Sequence, residues 1–427
     1  MPIPHLSNVQ NGPLLELERR ILEAQPQIEH WFRSQWCAHA TPFYGSVDLR
    51  NSGFKLAPVD MNMFPGGFNN LNTDMTPLAV QAAMSAVDKV CPEAKSILLI
   101  PENHTRNTYY LQNVASLVRI FELAGLKVRL GSLNPEITEP TEFVAANGVP
   151  VRLEPVQRRG NRLVLADGFN PCMVLLNNDL SGGLPAMLQN IEQNLMPPLH
   201  AGWAVRRKSH HFQAYDAVAS EFAQLISIDP WLINPLFAHA GGLDFQSRQG
   251  EQVLADTVSD LLARIRVKYR EQGIEHAPFV IVKADAGTYG MGVMSVKSPE
   301  EVIGLNRKAR NKMSVVKEGL EVSEVIVQEG VYTFETVEEA VAEPVVYMMD
   351  RYVIGGFYRV HTGRGIDENL NAPGMHFVPL SFETACLPDR LGMPDCPQNR
   401  FYSYGVIARL ALLAGARELE ATDPDNA

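Results

Sequence analysis

The sequence is poor in cysteine, and the five it has (Cys37, Cys91, Cys172, Cys386 and Cys396) show no C-x-x-C spacing. An odd, scattered set in 427 residues excludes a disulfide-stapled scaffold and reads as free thiols in a reducing compartment. Positive charge is also short: 37 Lys and Arg against 48 Asp and Glu leave a net charge of −11, which excludes a protein built to coat nucleic acid. No stretch reaches the ~18 uncharged apolar residues of a membrane helix. The opening MPIPH has neither the basic stretch nor the apolar core of a signal peptide, so a soluble, cytoplasmic protein is expected. Repeats and low-complexity tracts are missing, which leaves periodicity and chain breakers as the guides to organisation. What remains, 46% hydrophobic and 20% charged residues, is the composition of a globular protein long enough for two or three domains with a cleft between them.

Helical spacing runs from Leu14 through Leu17, Ile21 and Ile28 to Phe32, with a break near Pro26. Residues 55–77 are crowded with Pro, Gly and Asn and predict turns rather than regular strands. A β-α-β unit follows: strand 96–100, helix 107–123 ended by Gly125, strand 126–130, hence a parallel sheet. The loop 101–110 (PENHTRNTYY) leaves the carboxyl end of the first strand, where open α/β sheets bind ligands. A further strand, 173–176, runs into 177–183 (NNDLSGG), so two polar loops are expected on one edge. Helices are predicted at 210 onward, 252–272 and 406–419, with mixed β and α beyond Pro278.

Three segments carry chemistry. Residues 279–293 (FVIVKADAGTYGMGV) set Lys283 on a β-branched strand ahead of Gly287, Gly290 and Gly292. Glycines at this density let backbone N–H groups turn toward an anion without a Cβ in the way, and the lysine adds a cation. This is neither a Walker A loop nor a Rossmann fingerprint; lysine first and glycines after suits a flap folding over a triphosphate. Residues 324–331 (EVIVQEGV) form a strand ending in polar Gln328 and Glu329, and such an edge can hydrogen-bond an adenine. In the third segment Arg351 and Arg359 stand eight residues apart, followed by Asp367, Glu368, Asn369 and Asn371, hard oxygen donors suited to a phosphate-bound Mg²⁺. Each segment alone also reads as ordinary structure: a glycine-rich hairpin, a plain strand, an Asn/Gly turn.

In this order and spacing the segments resemble the ATP-grasp superfamily. Lys208, in AVRRKS, matches its first lysine and Lys283 its second; Gln328 to Val331 matches its adenine hinge. Residues 343–369 look like strands of bacterial glutathione synthetases, although the usual Glu-x-Asn metal pair is absent in that spacing; Glu368, Asn369 and Asn371 resemble it with a residue added, and Asp367 could substitute. Over essentially its whole length, including 60–70 (DMNMFPGGFNN) and 101–107, the chain is similar to the proteobacterial ferrooxidans-type glutamate–cysteine ligases.

The resemblance implies an α/β fold with α+β lobes: an N-terminal parallel-sheet, pre-ATP-grasp-like domain at 1–200, then an ATP-grasp domain at 201–427 with a flap-bearing lobe about 277–330 and a C-terminal lobe about 331–420. It implies ATP and Mg²⁺ as cofactors and ligation of the glutamate side-chain carboxylate, through an acyl phosphate, to the amine of cysteine. Lys283, Arg359 and Arg351 would be catalytic. Lys208, Lys283, Gly287, Gly290, Gly292, Gln328, Glu329 and Val331 would hold the nucleotide, and Glu368, Asn369 and Asn371 the metal. Arg106, which can grip a carboxylate bidentately, His104, Asn69, Asn70 and Asn178 are the candidates for amino-acid binding. No cysteine is given a catalytic role, and adjacent His210 and His211 point to different helix faces. The partners expected are small molecules (glutamate, cysteine, ATP), with neither nucleic acid nor membrane, and self-association stays open. The alternatives are another carboxylate–amine ligase, such as a glutathione synthetase-like enzyme, and a nucleotide-binding protein without turnover.

Overall fold

The structure, a computed structural model, describes residues 13–287, 292–314, 321–380 and 400–424. The chain starts with two helices, α1 (Pro13–Glu23) and α2 (Gln25–Ala38). Pro26 lies in the first turn of α2, where its missing N–H costs nothing, so the break in helical spacing is a helix start. A hairpin of β1 (Tyr44–Asn51) and β2 (Leu56–Asn62) follows, then α3 (Thr76–Val90), β3 (Ser96–Pro101), α4 (Thr108–Leu123) and β4 (Lys127–Ser132). Next come β5 (Thr141–Val144), β6 (Pro150–Pro155), a small hairpin of β7 (Gln157–Arg159) and β8 (Arg162–Val164), β9 (Met173–Asn177) and β10 (Asn194–Met196). The second half holds α5 (Lys208–Ile226), β11 (Phe237–Gly241), α6 (Glu251–Glu271), β12 (Val280–Ala284), β13 (Val293–Val296), α7 (Pro299–Ile303), α8 (Arg307–Ser314) and β14 (Glu324–Glu329). It closes with β15 (Glu335–Val337), β16 (Ala340–Met349), β17 (Tyr352–His361), β18 (His376–Pro379) and α9 (Arg400–Thr422).

These elements make a mixed α/β molecule with three principal sheets. One is the expected parallel sheet, in the order β10-β9-β3-β4-β6-β5, antiparallel only at β5. Gly125 follows α4 with φ +87°, the left-handed conformation that lets the chain leave the helix for β4. The second sheet, β11-β14-β12-β13, is antiparallel throughout. The third, β18-β17-β16-β1-β2, joins the two ends of the sequence: Tyr44–Asp48 pair with Val345–Met349, so strands from both sides of residue 200 share one sheet.

The hairpin corrects the turn expected at 55–77, because residues 56–62 form an edge strand. Proline is tolerated on such an edge, and Pro58 sits at the register shift between Asp48 and Leu49. The apolar underside of the hairpin (Val47, Leu49, Met61) packs with α1, α5 and α9 in one core. Val406, Ile407, Leu410 and Leu413 of α9 are fully buried there, each side chain contributing about 1.5–3 kcal/mol of burial free energy. The other face of the hairpin looks toward the second sheet, and along it the strands carry charge. Among the described residues no helix is long and apolar enough to cross a membrane.

Candidate active site

The charged face lines a cleft closed on its far side by β12, β14 and the start of α5. Lys208 opens α5, and the turn before it is tied to the end of β12. Asp285 accepts at its backbone carbonyl from Lys208 N (2.7 Å), and its carboxylate takes Ser209 N (2.8 Å) and Ser209 Oγ (2.7 Å). One aspartate thus caps α5 and holds Lys208 beside Lys283, two residues upstream of itself.

Both lysines reach β2. Lys208 Nζ lies 2.8 Å from Asp60 Oδ1 and 4.4 Å from the centre of the Trp203 ring. Lys283 Nζ donates to Val59 O and to Gln328 Oε1, each at 2.7 Å. Burial lowers the Lys283 ammonium to about 8, aided by the positive Lys208 and Arg50 and opposed by Asp60. The two side chains line one cleft.

Opposite them, Asp48 and Asp60 are register partners on β1 and β2. Arg359, from β17, donates to Asp48 Oδ2 (2.8 Å) and Glu343 Oε1 (2.6 Å), while Arg50 Nε donates to Glu343 Oε2 (2.8 Å). Burial pushes the Asp48 carboxyl up, and the charges of Glu343 and Asp60 push it further against the pull of Arg359. Burial would also raise Asp60 and Glu343. Lys208 and Lys283 outweigh it at Asp60, and Arg50 and Arg359 at Glu343, so both carboxyls lie below their ordinary values. The same carboxylates hold Arg359 above its usual value although burial opposes this. Arg359 keeps a buried Nε with no hydrogen-bond partner, and the Nε2 of buried Gln328 has none either. Both residues belong to a cleft whose walls already carry paired charge.

Of the residues expected from sequence, the cleft gathers Lys208, Lys283, Gly287, Gln328, Glu329, Val331, Arg359, Asn369 and Asn371. Gly292 stands at its margin, its carbonyl accepting from Ala284 N at 3.0 Å, and Gly290 lies outside the described residues. Glu329 turns its carboxylate away, to Lys55 Nζ (2.7 Å), Leu236 N (2.9 Å) and the Trp231 indole, so only its backbone can meet a ligand.

Arg351 is elsewhere. It occupies the turn between β16 and β17, over the Tyr352 ring at 5.4 Å, in a separate hollow with Glu29, Trp36 and Arg409. Eight residues of extended strand span roughly 25 Å, which separates it from Arg359 even though the spacing is even. Glu368 is engaged by Arg364 (2.8 Å) and Gly365 N (2.7 Å), and Asp367 by Lys297 (2.7 Å), so neither carboxylate lines the cleft.

Of the N-terminal candidates, His104, Arg106 and Asn178 follow strands of the parallel sheet, and Asn69 and Asn70 lie in a short 3-10 turn after β2. Pro101 and Asn177 are register partners, so the two polar loops do open side by side, joined by Asp179 N donating to Glu102 Oε1 at 3.1 Å. His104 Nε2 lies 3.7 Å from Glu102 Oε2, and Arg106 is exposed. Asn69 donates to Asn70 (3.1 Å), and Asn178 accepts from Leu180 N (3.0 Å). None of these five lines the cleft. Asp48, Arg50, Asp60 and Glu343 do line it, without having been picked out as site residues. Their signal was charge at two-residue spacing in apolar strands, visible at Asp48 and Arg50.

Two lysines, two arginines and three carboxylates around one cleft are the equipment of an ATP-dependent ligase, which must bring a polyphosphate and a carboxylate together. The profile of the glutamate-cysteine ligase family matches residues 18–419, and the chain belongs to that family. It is an ATP-dependent ligase joining glutamate to cysteine. A crystal structure from Methylobacillus flagellatus, which carries the name gamma-glutamylcysteine synthetase, is 66% identical, covers 99% of this chain and 100% of its own, and superposes with a TM-score of 0.91. Looser likenesses are to a D-alanyl-alanine synthetase A from Vibrio cholerae (13% identity, 74% of this chain and 81% of that one, TM-score 0.34) and a glutathione synthetase-like effector from Globodera pallida (9% identity, 82% and 77%, TM-score 0.35). No curated protein sequence matches significantly.

Proposed function

We propose that the cleft binds ATP in an ATP-grasp arrangement and drives ligation through an acyl phosphate. The observation that carries this reading is the meeting of Lys208 and Lys283, from separate elements, on adjacent residues of β2 opposite Asp48 and Glu343. A carboxylate is a poor acylating agent, so it first takes the γ-phosphoryl group and ADP leaves. The cysteine amine then displaces phosphate from the acyl carbon and loses a proton, giving the γ-glutamyl amide and inorganic phosphate.

Two anions must meet in the first step. Lys283 and Arg359 would lie along the phosphates, offset the repulsion and stabilise the charge that develops on the transferring group. Lys208 would grip the polyphosphate from the α5 side. The backbone from Gln328 to Val331 would hold the adenine edge, and Gly287, on the cleft wall, would let the backbone approach the phosphates without a Cβ in the way.

The donor set suits Mg²⁺. Asp48 and Asp60 face each other across adjacent strands, Asn369 and Asn371 add amide oxygens, and the like charges that raise Asp48 are what a divalent cation relieves. Bound there, Mg²⁺ would neutralise phosphate charge. Asp48 and Asp60, which line the cleft, would take the part that the resemblance gives to Glu368.

The loops at 66–70, 102–107 and 178–181 border one another through Asn177, whose Nδ2 donates to Pro65 O (2.9 Å), and they would hold the amino-acid substrates. A ligase that consumes ATP in biosynthesis belongs in the cytoplasm. The test is purified protein with Mg-ATP, glutamate and cysteine, which should release ADP, phosphate and dipeptide in equal amounts. ADP release at full rate with either amino acid left out overturns the proposal, and a panel of other acceptors fixes the second substrate.

A further inference from the structure

The ligation steps above leave Arg50 only as a charge beside Glu343, although it is buried in the cleft wall. Its guanidinium makes three bonds to three separate segments. Nε donates to Glu343 Oε2 on β16 (2.8 Å), Nη1 to Val331 O just past β14 (3.1 Å), and Nη2 to Glu368 O in the loop carrying Asn369 and Asn371 (2.5 Å). These segments are respectively a phosphate-side carboxylate, the backbone proposed to hold adenine, and the loop proposed to meet the metal. All three lie some 280 to 320 residues away in sequence.

The rest of the β1–β2 turn reinforces the same stretch. Lys55 grips Glu329, Asn51 Nδ2 donates to Glu335, and Asn51 O accepts from Phe334 N. Among these contacts Arg50 alone also reaches Glu343 and the asparagine loop.

We propose that Arg50 is a positioning residue that fixes the base-binding backbone relative to the phosphate and metal groups, so that a nucleotide held at one end is in register for transfer at the other. The inference rests on reading the cleft as the ATP site. The simpler role for a buried arginine beside Glu343 is charge neutralisation, which any cation could supply. Three acceptors on three segments, each met by a different guanidinium nitrogen, suit an arginine and not a lysine, whose ammonium is a single point on a flexible stem. Misplacement of reacting groups by about an ångström is enough to lower rates by orders of magnitude.

The experiment compares wild type with Arg50→Lys and Arg50→Gln in full steady-state kinetics, with calorimetric titration by ADP and thermal unfolding. Positioning predicts that Arg50→Lys raises the KM for ATP and lowers kcat, each about tenfold, leaves the KM values for glutamate and cysteine within twofold, and lowers the preference for ATP over GTP. Arg50→Gln should bind ADP at least fivefold more weakly, a measurement that needs no turnover and stands if the lysine variant does not fold. Kinetics of Arg50→Lys within twofold of wild type would show that charge alone suffices and overturn the proposal. So would reduced kcat and a lower unfolding midpoint with the ATP KM unchanged, the mark of lost folded enzyme. Failure of the cleft reading looks different: wild type itself would show no saturable dependence on ATP.

Discussion

At the scale of single residues, Lys283 combines the clearest sequence signal with the sharpest chemical expectation. Burial first, then Lys208 and Arg50, bring its ammonium down to about 8 in the free protein. A lysine depressed on folding costs stability while it stays charged. That cost is full below pH 8 and is lifted as pH rises from 8 toward the unfolded value of 10.5, so Lys283→Met should stabilise the fold most below pH 8. For phosphate contact the charged form is the useful one. The value of kcat/KM for ATP should therefore fall as pH rises through about 8, and Lys283→Arg should move that fall upward. A profile flat to pH 9.5 removes the side chain from this role, and Lys283→Ala should lower turnover about 10²-fold. A lysine in an apolar strand ahead of three glycines is an anomaly that a reader of the sequence can find. Glu343 is not: inside a strand a lone charge reads as a solvent-facing residue until its cross-strand neighbours are known. Here Glu343 stands opposite Arg359 in the register of β16 and β17, information that no local pattern contains.

At the scale of elements, the β1–β2 hairpin shows why part of the site stayed hidden. Its turn-forming residues outnumber its alternation, and only pairing with β1, itself held by β16, makes a strand of residues 56–62. Proline and asparagine are disfavoured in strands as a rule, but an edge position and a register shift remove the penalty for Pro58. The β-α-β unit was legible because its helix, glycine stop and strands are local. The hairpin's link to β14 is the fully buried ion pair of Lys55 and Glu329. Glu329→Gln leaves the ammonium without its counter-charge and should destabilise the protein by about 3 kcal/mol, read as an earlier urea transition. An unchanged transition would mean the pair does not secure the hinge. A second tie joins α5 and α9. Burial would raise Glu418, but Arg206 and His211 hold its carboxyl down at about 2. An acid depressed on folding stabilises above its unfolded value near 4.5, and the contribution fades as pH falls from there toward 2. Wild type should lose stability over that interval, and Glu418→Gln, already weakened at pH 7, should lose less of what remains.

At the scale of the whole molecule, the third sheet cannot be assigned to one half of the sequence. Strand β16, which carries β17 and then β18 on one side, has β1 as its neighbour on the other, and α9 packs beneath β1 and β2. A fragment of residues 201–427 should therefore fail to give a cooperative unfolding transition, and co-expression with residues 1–200 should restore one. A fragment folding alone, with wild-type affinity for ATP, would show that the hairpin is dispensable. Division of the chain near residue 200 is what the family resemblance implies, but sheet partners are chosen in space, and nothing in the local pattern marks a strand whose mate lies about 300 positions away. During synthesis this gives the enzyme a built-in order of events. Asp48 and Arg50 leave the ribosome early and wait, unmatched, while the intervening polypeptide is made. The cleft comes into being only after β16 and β17 have been made, so a product truncated before them has no assembled pocket in which to spend ATP.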